Sequence, residues 1–148
     1  MAWVVYALLA AVLWGASYVL YEQLLGTMSS ASAMLFSALG ATLVYYLVAL
    51  SRRAVGHDWK LVLAGGRETA MLAALVLVNA EANLLLLMSM KEKNATAAGL
   101  IEISYPLFTA LFAWLFLKEN QMTPGTALGA VLILSGVACI YYFNRAPA

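Results

Sequence analysis

The order of hydrophobic and polar residues divides the chain into five long apolar segments separated by short polar ones. Crossing the roughly 30 Å hydrocarbon core of a bilayer takes about 20 predominantly apolar residues in an α-helix. Five segments reach that length, and we refer to them as the first to fifth spans: residues 3–24, 31–50, 69–89, 95–117 and 124–143. They predict an all-α integral membrane protein with one five-helix transmembrane domain over residues 1–148.

Other readings of these segments fit less well. Strands of a membrane barrel would alternate apolar and polar residues, and the segments do not alternate. A soluble chain carries about 25% charged residues, whereas this chain carries 10% and is 65% hydrophobic. The first span exceeds the roughly 7 to 15 residues of a signal-peptide core and follows no Lys or Arg, so we expect it to be a retained helix.

The polar segments contain recognisable helix boundaries. The hydroxyls of Thr27, Ser29 and Ser30 suit a turn and the N-cap of the second span, and the amide of Asn94 suits the N-cap of the fourth. Pro124 suits the first turn of the fifth span. In the longest polar segment, 51–68, we expect a short helix at the membrane surface, capped by Asp58 and ended by the glycines at 65–66.

Positive charge predicts the orientation of the chain. Cytoplasmic loops are rich in Lys and Arg, and the side that holds the N-terminus carries five such residues against three on the other side. The count favours an N-terminus inside the cell. The two sets are Arg52, Arg53, Lys60, Arg67 and Lys118, and Lys91, Lys93 and Arg145.

Carboxyl groups inside the spans are the main candidates for chemistry. Glu22 is near a span end and can reach the headgroups, but Glu81 is central in the third span and Glu102 is about two turns into the fourth. A tight hairpin at residues 91–92 would place Glu81 and Glu102 level, about 10 Å below the surface. Each costs at least about 2.5 kcal/mol to insert when charged, and two neighbouring carboxyls cannot both ionise cheaply. We expect at least one to carry a proton that couples to transport, or else a neutral acid that hydrogen-bonds between helices.

Polar and kinking residues accompany these acids. Asn79 and Asn83 share one face of the third span, where they would hydrogen-bond between helices or contact a substrate. Pro106 supplies no N–H to the carbonyl of Glu102, which predicts a kink of the kind found in broken-helix binding sites, or a simple kink without binding.

Aromatic and small residues complete the candidate set. Trp14, Tyr18 and Tyr21 fall on one stripe of the first span, which would line a cavity or pack against helices and lipid. Gly125, Gly129 and Gly136 suit close helix packing in the fifth span. The candidates for substrate or proton coupling are therefore Glu81, Glu102, Trp14, Tyr18, Asn79, Asn83, Tyr105 and Pro106.

Several classes of function have no support in the sequence. The chain contains no phosphate-binding glycine loop, no HExxH motif, no cysteine cluster and no nucleophile elbow, and its single histidine, His57, lies in a polar segment. Its single cysteine, Cys139, can form no intrachain disulfide, and a net charge of +1 provides no surface for nucleic acid. We expect neither an enzyme nor a cofactor, a metal or a nucleic-acid partner.

Several motifs resemble a known family. They are the segments 94–98 (NATAA), 102–107 (EISYPL), 116–119 (FLKE), 129–137 (GAVLILSGV) and 14–18 (WGASY). With these motifs the chain resembles one five-helix repeat of the EamA-type proteins in the drug/metabolite transporter superfamily.

The resemblance implies an architecture and a class of function. Full-length relatives have two such repeats in opposite orientation, giving ten helices around a central cavity, so one repeat would pair with an antiparallel copy of itself or with a paralogue. The five-to-three charge bias argues mildly against strict dual insertion. Related four-helix multidrug exporters carry a carboxylate in their first helix. The middle of the first span has none here, so Glu81 or Glu102 would have to replace it.

We therefore expect a multi-pass protein of a prokaryotic inner membrane, with lipid and a small-molecule substrate as its partners. It would be a secondary transporter that moves a small metabolite or drug by alternating access, as an antiparallel homodimer or a paralogous heterodimer. The alternative is a membrane subunit that assembles with a paralogous partner and transports nothing itself.

Overall fold

The computed structural model of the chain describes residues 2–52, 55–119 and 122–143, with the side chain of His57 excepted. Regular structure in these residues is helical throughout, and five helical segments are long and apolar enough to cross a membrane, which confirms the predicted all-α class. The helices are α1 (Ala2–Leu25), α2 (Ser30–Ser51), α3 (Val55–Leu63), α4 (Arg67–Glu92), α5 (Ala95–Glu102), α6 (Tyr105–Phe112) and α7 (Pro124–Phe143), with a π-helical turn over Ala113–Leu117.

The helices group into two compact units. The first unit consists of Met1–Tyr18 and Lys93–Ala148, and it contains most of α1 together with α5, α6, the π-helical turn and α7. The second unit consists of Val19–Glu92, and it contains the end of α1 together with α2, α3 and α4.

In the second unit, α2 and α3 both pack against α4. Ser29 caps α2, since its hydroxyl oxygen accepts the backbone N–H of Ser32 at 3.1 Å, as the hydroxyl-rich turn predicted. Gly65 has a φ of +69°, the left-handed conformation that reverses the chain after α3. The hydroxyl of Thr69, near the start of α4, donates to the carbonyl of Val62 at 2.7 Å and so satisfies an acceptor at the end of α3.

The start of α3 differs from the prediction. We expected Asp58 to be its N-cap, but α3 already begins at Val55, and Asp58 lies in its first turn. An acidic side chain in the first turn still interacts favourably with the positive end of the helix dipole, so the residue type fits both positions.

In the first unit, α5 packs against α7. The side-chain oxygen of Asn94 accepts the N–H of Ala97 at 2.7 Å, which confirms this residue as the N-cap of α5. Pro124 is the first residue of α7, where its missing N–H leaves no carbonyl without a donor.

The fourth span is not one continuous helix. We predicted a helix over 95–117 with a kink at Pro106, whereas α5 ends at Glu102 and α6 begins at Tyr105. Across this joint the N–H of Ser104 donates to Ile101 at 3.1 Å and that of Leu107 to Ser104 at 3.0 Å, both three residues back rather than four. A proline ring clashes with the carbonyl four residues earlier, here Glu102, which places the break before Pro106 rather than at it.

Polar side chains within the spans mostly bond to their own helix. The hydroxyls of Ser17, Thr42 and Ser135 each donate to the carbonyl four residues earlier, at 2.8 to 2.9 Å. In hydrocarbon no water is present to satisfy these groups, so the backbone of the same helix is the nearest acceptor.

Few side chains of the spans are buried within the chain. In α1 only Leu25 is buried, and among the described residues of α7 none is. Apolar side chains such as Trp3, Leu13 and Leu132 are about two-thirds exposed or more. The helices therefore present wide apolar faces, as spans surrounded by lipid or by further helices do.

The fourth span ends in an unusual turn. The carbonyl of Ala113 accepts the N–H groups of both Lys118 and Glu119, and Lys118 adopts a left-handed conformation with φ 59° and ψ 24°. Glycine usually occupies this position after a helix because a Cβ is unfavourable there.

We expect Lys118→Gly to be more stable than Lys118→Ala by about 1 kcal/mol, because both variants lose the lysine charge and only alanine keeps the unfavourable Cβ. The free energy of unfolding in mixed detergent micelles, followed by tryptophan fluorescence, measures this difference. Equal stability of the two variants would contradict a left-handed residue 118.

Candidate functional site

The central feature of the candidate site is a hydrogen bond between two spans. The phenolic hydroxyl of Tyr18 on α1 donates to Oε2 of Glu102, the last residue of α5. Both side chains are half-buried, and both residues belong to the first unit. The bond provides the carboxyl group with a donor at the joint in the fourth span, where the backbone changes from α5 to α6.

Two neighbours define the position of the Tyr18 ring. Trp14, one turn earlier on α1, has its ring centroid 5.8 Å from that of Tyr18, with the ring planes tilted by 58°. On the α5 side the ring lies over Gly99, where a Cβ would stand 3.0 Å from Cδ2 and 3.1 Å from Cε2 of Tyr18. Trp14 and Tyr18 were predicted as site residues, but Gly99 was not. The available signal was its place one turn before Glu102, on the same face of the helix.

A second hydroxyl pair lies in the second unit. The hydroxyls of Tyr21 on α1 and Ser37 on α2 are hydrogen-bonded to each other, and either can be the donor. Sequence reasoning placed Tyr21 on the aromatic stripe but missed Ser37, because a serine in an apolar helix usually bonds to its own backbone.

The side-chain amides of Asn79 and Asn83 donate within α4, whereas bonds between helices were one expectation for them. The side-chain amide of Asn79 donates to the carbonyl of Leu75 at 3.1 Å, and that of Asn83 donates to the carbonyl of Asn79 at 2.7 Å. Both acceptors belong to α4 itself. The amide groups thus bond along their own helix, as the hydroxyls of the other spans do.

The two intramembrane acids have different surroundings. Glu81 lies on α4 in the second unit and is exposed, whereas Glu102 lies in the first unit and is half-buried. Their placement at one depth stays a prediction.

Tyr105 and Pro106 lie at the other side of the joint from Glu102. Tyr105 is the first residue of α6, its side chain is 62% exposed, and its carbonyl accepts the hydroxyl of Thr109 at 3.2 Å. Pro106 follows it in the first turn of α6 and is also exposed. The structure thus brings Tyr18 and Glu102 into contact, with Tyr105 close enough to interact electrostatically with Tyr18. Pro106 follows Tyr105 along the chain.

The glycines of α7 have open space around them. A Cβ at Gly129 or Gly136 would meet no atom within 4 Å, and one at Gly125 would lie 3.9 Å from the hydroxyl of Thr123. Their predicted role in helix packing is therefore not exercised within the described chain.

The chemistry available at this site is that of a carboxyl group and aromatic rings. Among the described residues no three His, Cys, Asp or Glu side chains come together in a way that could hold a metal ion. A carboxyl group can take up or release a proton and can bind a cation or a hydrogen-bond donor, and aromatic faces attract cations and flat ligands.

The sequence comparison decides the family. The family model of the EamA-like transporter family matches residues 1–142. The chain belongs to the EamA-like transporter family. No match was found among curated proteins or among solved structures.

Membership of the EamA-like family confirms the resemblance seen in the sequence and gives the broad function. The family is one of transporters and not of enzymes, and five apolar helices fit one EamA-like unit in a membrane. The chain is therefore a multi-pass membrane protein of a transporter family. Because the spans lie in an apolar environment, loss of the hydrogen bond between Tyr18 and Glu102 would cost free energy.

We expect Tyr18→Phe to lower the free energy of unfolding by about 1 to 3 kcal/mol, since it removes a bond to a carboxyl group. Tyr21→Phe is the matched control on the same helix. It removes a bond between two neutral hydroxyls and should cost about 0.5 to 1.5 kcal/mol. Unfolding in mixed micelles measures both, and a larger loss for Tyr21→Phe would contradict the importance given to Glu102.

Proposed function

We propose that the protein is a secondary transporter that moves a small metabolite or drug across a prokaryotic inner membrane by alternating access, with the carboxyl group of Glu102 carrying the coupled proton. The observation that carries this proposal is the hydrogen bond from Tyr18 to Glu102 at the joint between α5 and α6. Family membership supports the transport class but specifies neither the substrate nor the coupling ion.

Three properties of Glu102 suit a proton-coupling group. Its position in an apolar span is expensive for a fixed charge, so either a proton or a cationic substrate would have to neutralise the carboxylate. Binding of one would then favour release of the other. Glu102 is half-buried, so part of the residue remains exposed outside its own helices. It adjoins two residues, Ile103 and Ser104, at which the helix is interrupted. Interrupted helices at the depth of a binding site are recurrent in secondary transporters.

The other predicted residues have subsidiary roles in this proposal. Trp14 and Tyr18 would form an aromatic wall beside the carboxyl group, and Tyr105 and Pro106 would border the site on the α6 side of the joint. Glu81, in the second unit, would act as a second coupling carboxyl. The amides of Asn79 and Asn83 would contact a substrate only by exchanging their present bonds to the backbone of α4.

A second copy of the chain, inserted in the opposite orientation, would complete the transporter; a paralogue is the other candidate for this place. Wide apolar faces on α1 and α7 and the open space at Gly129 and Gly136 support packing against further helices. In this assembly residues 1–148 act as one transmembrane domain, and two such domains enclose a path that five helices do not.

Proton movement in vesicles tests the proposed mechanism. Purified protein is reconstituted in liposomes that contain a trapped pH-sensitive dye, and the twenty amino acids, ethidium and tetraphenylphosphonium are added singly across a pH gradient. We expect at least one solute to drive proton movement, Glu102→Gln to reduce it to the level of protein-free vesicles, and Glu81→Gln to slow it.

Glu68→Gln serves as the control, because Glu68 is an exposed carboxyl in the first turn of α4, before the apolar core of the span. Unchanged flux in both Glu102→Gln and Glu81→Gln would remove the carboxylate mechanism. Absence of flux with every solute, together with stoichiometric co-purification of another membrane protein, would favour the non-transporting subunit. Flux that no gradient drives uphill would indicate a passive pore.

Antiparallel assembly predicts two orientations in the membrane. In a Cys139→Ser background, Thr27→Cys places a single thiol in the turn after α1, where a membrane-impermeant maleimide reaches it from outside only in one orientation. We express labelling from outside as a fraction of the labelling obtained after permeabilisation. We expect this fraction to lie well above zero and well below one. Complete or absent labelling would exclude the homodimer and leave the paralogous partner.

A further inference from the structure

Gly99 is distinguished from the other glycines by what surrounds it. Among the described residues, it is the one glycine within a helix whose added Cβ would meet a side chain of another helix, at 3.0 and 3.1 Å from the Tyr18 ring. At Gly15, Gly40, Gly129 and Gly136, which also lie inside helices, a Cβ would meet nothing within 4 Å. The Tyr18 ring therefore lies close to the place that a side chain at residue 99 would occupy.

The Tyr18 ring cannot easily move away from a Cβ at residue 99. The two atoms concerned are carbons along one edge of an aromatic ring, which moves as a rigid body, and contacts this short are rare for real Cβ atoms. Displacement of the whole ring away from residue 99 would move the hydroxyl as well, whereas rotation about the axis through Cγ and Cζ would leave the hydroxyl in place and change the 58° tilt between the Tyr18 and Trp14 rings. Hydrogen bonds weaken steeply with distance and angle, so displacement of the ring would lose or strain the bond to Glu102.

The helix also gives no local reason for a glycine at this position. Gly99 lies in the interior of α5, between the alanines at 97–98 and Leu100, and glycine is among the poorest helix formers. α5 continues through this residue, and the interruption comes later, at Ile103 and Ser104. The contact with the Tyr18 ring is the feature that requires a residue without a Cβ.

We propose that Gly99 is a positioning residue of the proton site, whose missing side chain lets the Tyr18 ring lie against α5 with its hydroxyl directed at Glu102. This inference rests on the proposed function for its effect on transport, but its structural part does not. The hydroxyl of Tyr18 holds the carboxyl group in one place, and Gly99 sets the approach of the ring that carries the hydroxyl. Gly99→Ala therefore acts on Glu102 in the same way as Tyr18→Phe.

Infrared spectroscopy tests the structural part without any substrate. Acid-minus-alkaline difference spectra of the reconstituted protein contain carboxyl vibrations, and those that Glu102→Gln removes belong to Glu102. We expect Tyr18→Phe and Gly99→Ala to shift these vibrations in the same direction. Gly40→Ala, which makes the same glycine-to-alanine change inside α2, should leave them where they are.

A double variant separates positioning from general packing. In a Tyr18→Phe background no hydroxyl remains to be directed, so adding Gly99→Ala should cause no further band shift and no further loss of transport. Each single variant should slow solute-driven proton movement by about tenfold, the effect of losing one such hydrogen bond. Additive losses, or a Glu102 band unchanged by Gly99→Ala, would overturn the proposal.

The two proposals fail in different ways. If wild-type vesicles carry no solute but Gly99→Ala shifts the Glu102 band, the transport mechanism fails and the role of Gly99 stands. If Gly99→Ala does not fold, the double variant Gly99→Ala with Tyr18→Leu, which removes the ring, decides the matter. Recovery of folding supports the contact, and failure to recover overturns it.

Discussion

The structure depends on one constraint, which is that a polar group inside hydrocarbon must find its partner within the protein. The backbone meets it by forming helices, and the hydroxyls and amides of Ser17, Asn79 and Asn83 meet it by donating to their own helix. A carboxyl group has no proton to donate when ionised and cannot use a backbone carbonyl, so Glu102 requires a donor from elsewhere. Tyr18 provides one across a helix boundary, and the candidate site exists because of that requirement.

The sequence predicted well those features that depend on local chemistry. Span lengths follow from the thickness of the hydrocarbon, and the caps at Asn94 and in the turn before α2 follow from the need of free N–H groups for an acceptor. A kink in the fourth span was predicted at Pro106, but the helix is interrupted earlier, at residues 103–104. The reason is that a proline ring disturbs the turn that precedes it. Asp58 was assigned to the cap although it lies inside the helix, since acidic residues favour both positions.

Pairings between helices were less accessible to sequence reasoning. Serine at position 37 and glycine at position 99 are common residue types in membrane helices, and their importance depends on which residue of α1 faces them. The spacing of Gly125, Gly129 and Gly136 predicted close helix packing, yet a Cβ at Gly129 or Gly136 would meet no described atom within 4 Å. Spacing indicates that a helix can be approached closely; it does not identify the helix that approaches.

The division of the fourth span also determines how an electric field would act on the site. The eight residues of α5 rise about 10 Å from Ala95 to Glu102, roughly a third of the hydrocarbon thickness. A proton that reached the carboxyl from the Ala95 side would cross a similar fraction of the membrane voltage, worth about 0.8 kcal/mol per 100 mV. If Glu102 carries the coupled proton, as proposed, its proton loading would depend on the membrane voltage, and more steeply for protons from the far side of the bilayer than for those from the near side.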